Sequence, residues 1–299
     1  MMKKSYRLFP LLFFPVIFFV VIFSTGSFSQ PKKNFLWKVQ SKTTTVYVLG
    51  SVHFLKKEMY PLHERIEQAF DQSDILVVEA NIGEAGKADI QKLIKSGFYP
   101  ENDALEKHLT PETYDRVKKE AARLGVPPEL ASKQKPWFLA LTLATLEILK
   151  LGFDPNYGID KYFLSKATGK KKILELESID YQIDLFSHLS EKEQELYLLS
   201  TLKDLRIAEQ ELNELIQAWS SGDATSLDAI IMRKVAEDPK LSVIYEKFLF
   251  ERNKNMSAKV EDYLKTKETH LVIVGAGHLV GSRGMIELLK GKGFLVEQL

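Results

Sequence analysis

None of the 299 residues is cysteine, which excludes disulfide scaffolds, thiolate nucleophiles and Cys-ligated zinc together. Chemistry in this chain must run on oxygen and imidazole groups, and there are only six histidines. A charge excess is also missing, with 41 Lys and Arg against 40 Asp and Glu, so nothing points to nucleic acid as a partner. No Gly-x-Ser-x-Gly elbow, His-Glu-x-x-His helix or Walker lysine occurs. Gly275-Ala276-Gly277 imitates a dinucleotide fingerprint only superficially, because the third glycine and a downstream acidic residue are absent. There is no low-complexity linker to mark a sharp domain boundary.

One long apolar run stands out, from Leu8 to Phe23, preceded by Lys3, Lys4 and Arg7 and followed by small residues from Ser24 to Ser29. That order is expected of a secretory signal over residues 1–29, or of an uncleaved membrane anchor, and it predicts an extracytoplasmic protein, periplasmic or secreted. Taking those three basic residues from the 41 leaves 38 against 40, a nearly neutral mature chain. Residues 30–299 are long enough to bury a sizeable core without disulfides.

Periodicity divides this mature part. Phe35 to Gln40 and Thr45 to Leu49 read as a hairpin, Pro61 to Gln72 as an amphipathic helix and Ile75 to Val78 as a buried strand, which together suggest a βαβ unit. From about 90 to 267 the pattern is mostly helical, with helices expected near Pro111 to Leu124, Pro136 to Leu151, Asp160 to Thr168, Glu191 to Ser220, Ser226 to Glu237 and Leu241 to Lys265. A short strand, Lys172 to Leu176, interrupts this region. The chain closes with strand His270 to Val274, helix Gly281 to Leu289 and strand Phe294 to Gln298. The expected fold is α/β: a central mixed, largely parallel sheet built from the two ends of the mature chain, with a large helical insertion.

Two segments carry the chemistry. Val46-Tyr47-Val48-Leu49 runs into Gly50-Ser51-Val52-His53, and Leu271-Val272-Ile273-Val274 runs into Gly275-Ala276-Gly277-His278. With 16 Gly and six His, chance supplies a Gly-x-x-His only about 0.3 times, so two copies after four-residue apolar runs form a pattern. Each predicts a buried strand whose carboxyl end delivers a histidine, and strand carboxyl ends are where open α/β sheets bind ligands. Glu79 follows its own run, Ile75 to Val78, and is expected at the same edge. Two imidazoles and a carboxylate make a ligand set for a divalent metal, with zinc, manganese, cobalt and iron all compatible. A histidine after a strand can equally be a core residue, and a strand-end glutamate can pair with a basic neighbour. Asp160 reads as a helix N-cap or a catalytic acid, Glu175 and Glu177 end the short strand, and Arg252 and Asn253 either hold a carbonyl or carboxylate or make a salt bridge. His63, His108, His188 and His270 lack a comparable context.

These residues, in order, resemble the TraB/GumN family, which includes the Tiki Wnt-cleaving metalloproteases. The resemblance runs from about Trp37 to the carboxyl terminus. It is carried by Leu49-Gly50-Ser51-Val52-His53, Tyr60-Pro61-Leu62, Val78-Glu79, Lys135-Pro136-Trp137, Gly158-Ile159-Asp160, Leu176-Glu177 with Gln182, Arg252-Asn253 with Met256, and Gly275-Ala276-Gly277-His278-Leu279 with Gly281. It implies a fold like that of the erythromycin esterase and ChaN-like superfamily, with His53, Glu79 and His278 at the active centre as the expected metal ligands and Glu177, Arg252 and Asn253 as catalytic neighbours. Glu177, or Glu79 itself where it is not a ligand, is expected to move the proton. Manganese or cobalt is the ion the resemblance favours. The expected function is an exported metal-dependent hydrolase acting on peptides or protein segments. A non-catalytic peptide- or heme-binding envelope protein using the same cleft is the alternative.

Overall fold

The computed structural model describes residues 33–84 and 86–299; the expected signal or anchor lies outside them. Six strands form one sheet: β1 (Leu36–Gln40), β2 (Thr45–Ser51), β3 (Ile75–Val78), β4 (Lys172–Glu175), β5 (His270–Gly275) and β6 (Leu295–Gln298), in the spatial order β4-β3-β5-β2-β1-β6. The four strands β4, β3, β5 and β2 run parallel, and β1 pairs antiparallel with both β2 and β6. The fold is therefore α/β with a mixed, mostly parallel sheet.

Burial explains which strands stand where. Leu76, Val77 and Leu271 to Val274 are fully buried, as strands covered on both faces require, and each such side chain contributes about 1.5–3 kcal/mol. The edge strands β4 and β6 instead have only exposed and half-buried residues, alternating in β6 and with the exposed ones at the two ends of β4. The hairpin forms in the register Leu36↔Leu49 to Gln40↔Thr45. The βαβ unit forms too, but β5, from the far end of the chain, lies between β2 and β3. No local pattern can announce a strand inserted from some 200 residues away.

The helical region does two jobs. Ile159, Phe163, Trp219, Leu227, Met256 and Val260 join the core built on the sheet, while Leu105, Val117, Leu139, Leu143, Leu198 and Leu202 form a second apolar cluster. The helix expected over Glu191 to Ser220 is two, Glu191–Asp204 and Ala208–Ser220. The break serves both cores: Leu198 and Leu202 belong to the second cluster, and Ala218 and Trp219 to the first. The first helix begins at Glu64 rather than Pro61, because His63 caps it by accepting the Arg65 N–H. Among the described residues no helix is long and apolar enough to cross a membrane.

Candidate active site

The parallel strands deliver their next residues to one edge of the sheet in spatial sequence: Glu177 beyond β4, Glu79 beyond β3, His278 beyond β5 and His53 beyond β2. The two glycine turns are not level. Ser51, not Gly50, pairs with Gly275, so the first turn leaves the sheet one residue later than the second.

Gly275 is the point on which the site converges. A Cβ placed on it would lie 3.4 Å from Glu79 Oε1, 3.5 Å from His278 Cδ2 and 3.9 Å from His53 Nε2. Its N–H donates to Glu79 Oε1 at 2.6 Å, and His278 Nε2 stands 3.6 Å from the same oxygen. Glycine here leaves open the space the three groups share.

The other ring nitrogen of each histidine is engaged. His53 Nδ1 lies 2.8 Å from Asp160 Oδ2, and His278 Nδ1 lies 2.6 Å from Asn253 Oδ1. Asn253 Nδ2 donates to the Arg283 carbonyl at 2.9 Å, which fixes Oδ1 as the acceptor and puts the His278 proton on Nδ1. Burial pushes the His278 pKa down to about 4 against the pull of Glu79, so near neutral pH its Nε2 offers a lone pair. Desolvation also opposes charge on His53, but Asp160, by its charge and its hydrogen bond, outweighs this and raises the pKa. The His53 side chain is 61% exposed, so water screens that pair.

Local structure places these partners. Trp219 Nε1 donates to the Gly50 carbonyl at 2.8 Å and pins the first turn. The helix Ile159–Ala167 begins against that turn, Ile159 N–H bonding the Val52 carbonyl at 3.1 Å. A Cβ on Gly158 would collide with the His53 carbonyl, so only glycine permits this approach. Asp160 is thus not the N-cap, a position held by Gly158, and its carboxylate turns to His53 instead. The expected helix Leu241 to Lys265 carries a π-helical stretch at Glu246–Phe250, which ends two residues before Arg252. That wider turn is followed by two consecutive inward residues, Arg252 and Asn253, both buried.

Arg252 holds the carboxylates. Its Nη2 donates to Glu79 Oε2 at 2.8 Å and Glu177 Oε2 at 2.7 Å, its Nε to Glu177 Oε1 at 2.8 Å and its Nη1 to the Phe248 carbonyl at 3.0 Å. Four of the five guanidinium N–H groups are thereby engaged, so Arg252 anchors Glu79 and Glu177 instead of offering a free fork to a carbonyl. Gln182 Nε2 adds 3.2 and 3.4 Å contacts to Glu177 Oε2 and Glu79 Oε2. Burial opposes ionisation of Glu79, but His278, Arg252, His53 and the Gly275 N–H prevail and hold its pKa down to about 2. Because His278 is neutral near pH 7, Arg252 is the main cation acting on Glu79 there, ahead of His53. Glu175 turns aside to accept the Asn81 N–H.

Among the described residues no three His, Asp or Glu side chains stand close enough to hold a metal ion as they are. The donor chemistry nonetheless fits one. Two imidazoles are oriented through Nδ1 with Nε2 turned inward, as metal-binding histidines are. With both imidazoles neutral, as ligands are, Asp160, Glu79 and Glu177 against Arg252 leave two formal negative charges in excess. At the same edge Ser51 Oγ is buried without a hydrogen-bond partner.

Of the predicted residues, the structure brings together His53, Glu79, His278, Glu177, Arg252 and Asn253. The remaining histidines serve elsewhere: His63 caps a helix, His108 stacks on Tyr99, His188 bonds the Asp184 carbonyl, and His270 stacks on Tyr263. The Gly275 N–H was not foreseen, since backbone donors carry no sequence signature.

The TraB/PrgY/gumN family model matches residues 35–298. The chain belongs to that family. It is 25% identical over 245 residues to the uncharacterized protein YbaP of Escherichia coli K12, covering 82% of this chain and 87% of that one. An uncharacterized protein of Treponema pallidum is 21% identical, covering 88% of this chain and 82% of its own. A protein of Amphimedon queenslandica named as a metalloprotease TIKI homolog is 22% identical, over 92% of this chain and 64% of its own length. No solved structure matches significantly. The family resemblance read from the sequence thus holds, and a distant metalloprotease homolog accompanies it.

Proposed function

We propose that this protein is an exported, metal-dependent hydrolase acting on peptides or protein segments. The observation that carries the reading is the convergence of His53 Nε2, Glu79 Oε1 and the His278 ring on the space beside Gly275. Those three side chains would hold a divalent manganese, cobalt or zinc ion, all compatible with nitrogen and oxygen donors. When bound, such an ion supplies Lewis acidity for a scissile carbonyl and for water.

The chain's own residues do the rest. Arg252 and Gln182 keep Glu79 ionised and aimed, which suits a ligand and makes it a weak base. Glu177, its two oxygens taken by Arg252 and Gln182, serves the same clamp. Asp160 and Asn253 fix the two rings so that Nε2 faces inward. A cavity of about 940 Å³ lined by His53, Asp160, Asn81 and Gln182 leaves room for a peptide. Likeness to a named metalloprotease homolog supports peptide bonds as the target, and the basic and apolar start of the chain supports export.

The test is elemental analysis with peptide-library cleavage, on the wild type and on His53→Ala and His278→Ala. Stoichiometric divalent metal and chelator-sensitive cleavage, both lost in the variants, are expected. Metal and cleavage unchanged in both variants would overturn the proposal, and a Soret band on heme addition without cleavage would favour a heme-binding role.

A further inference from the structure

The cavity that holds His53, Asp160 and Gln182 does not end at those residues. Its far wall is Ile173 of β4, with Lys171 just before the strand. β4 pairs with β3 on one side and, among the described residues, with no strand on the other. The sheet has a second free edge, β6, but that strand lines none of this cavity. Among the described strands, β4 alone offers an unpaired edge beside the candidate site.

The side chains of β4 agree with this placement. Ile173 and Glu175 share a face by the two-residue period of a strand. Glu175 accepts the N–H of Asn81, itself a cavity residue, so that face of β4 looks into the cavity. The same cavity is lined by Ile82, a large apolar side chain 54% exposed, and by Leu164. The strand's length of four residues and its exposed Lys172 and Glu175 discourage pairing with a like edge. None of this hinders a single incoming strand.

We infer that the free edge of β4 is a subsite for the backbone of an extended peptide, which pairs with Ile173–Glu175 as an added strand and continues through the cavity toward Glu79 and His53. This rests on the peptide-hydrolase reading and adds to it how the substrate is held. Main-chain pairing accepts many sequences, while Ile82 and Ile173 select an apolar side chain at alternate positions. Strands lie about 4.8 Å apart, so the four steps from the added strand to β2 span about 19 Å, or roughly six extended residues. The substrate class is therefore an unfolded segment with an apolar residue within about six positions of the cleaved bond. A folded surface cannot enter.

The test uses the full metal-loaded chain and one peptide that it cleaves from a random library. N-methylating that peptide one residue at a time removes single backbone donors without touching the protein. Methylation at alternate residues is expected to lower kcat/KM at least ten-fold while the intervening positions tolerate it. With an uncleavable reduced-amide version bound, the amides of residues 172–176 should exchange at least ten-fold more slowly. Uniform tolerance of methylation, or protection confined to other segments, would overturn the inference and leave the hydrolase reading standing. Protection of β4 that grows with protein concentration without peptide would assign the edge to a second copy of the chain and also overturn it. If no library peptide is cleaved or bound, the hydrolase reading itself fails.

Discussion

The two Gly-x-x-His turns look alike in sequence and differ in the folded protein. His278 is buried, with 6% of its side chain exposed, neutral, and held by an amide, whereas His53 is 61% exposed and held by a carboxylate. One turn belongs to the core and the other to the cleft wall. The difference follows from the sheet order: β5 has β3 and β2 on its two sides, while β2 is followed by the antiparallel β1, where the parallel edge ends. The same motif thus supplies one rigid group and one accessible group.

Several substitutions would break or sharpen this contrast. The largest effect is expected on the buried side: Arg252→Ala strands two carboxylates without their cation and should cost about 3–5 kcal/mol, measured by urea denaturation. His278→Ala leaves Asn253 Oδ1 unpaired in the core and should cost about 1–3 kcal/mol. His53→Ala should leave stability within about 0.5 kcal/mol, yet abolish metal retention just as completely. Equal destabilisation by the two histidine variants would erase the distinction. Asp160→Asn keeps the shape but weakens the hold on the His53 ring, so metal affinity should fall about 10- to 100-fold with little change in stability, read by metal titration and thermal melting.

The smallest effect concerns His270, at the opposite end of β5 from His278. Burial there lowers its pKa, so the unfolded chain binds the proton more readily than the folded one. Stability is therefore complete above about pH 6.5, the ordinary histidine value, and declines as the pH falls below it. His270→Phe should flatten that decline in denaturation curves taken from pH 7 to 5, without altering metal content. An unchanged slope would show that the titration lies elsewhere.

Much of the site was legible because its residues sit where strands end. His53, Glu79 and His278 each follow an apolar run, and strand period and length are local properties. Arg252 and Asn253 were legible only as polar residues in a helix; their inward aim depends on the π-helical stretch before them, which no spacing announces. Asp160 illustrates the opposite error. An acidic residue near a helix start reads as a cap, but Gly158 and the nearby His53 backbone place that helix so that the carboxylate meets an imidazole instead.

The sequence by itself determined the strands, the two glycine turns and the absence of thiol chemistry, because these depend on composition and on neighbours a few residues apart. Tertiary structure alone decided that β5 enters between β2 and β3, that the turns are offset by one residue, and that one histidine is buried and the other open. Those outcomes depend on burial and pairing between segments some 200 residues apart, which local periodicity does not encode.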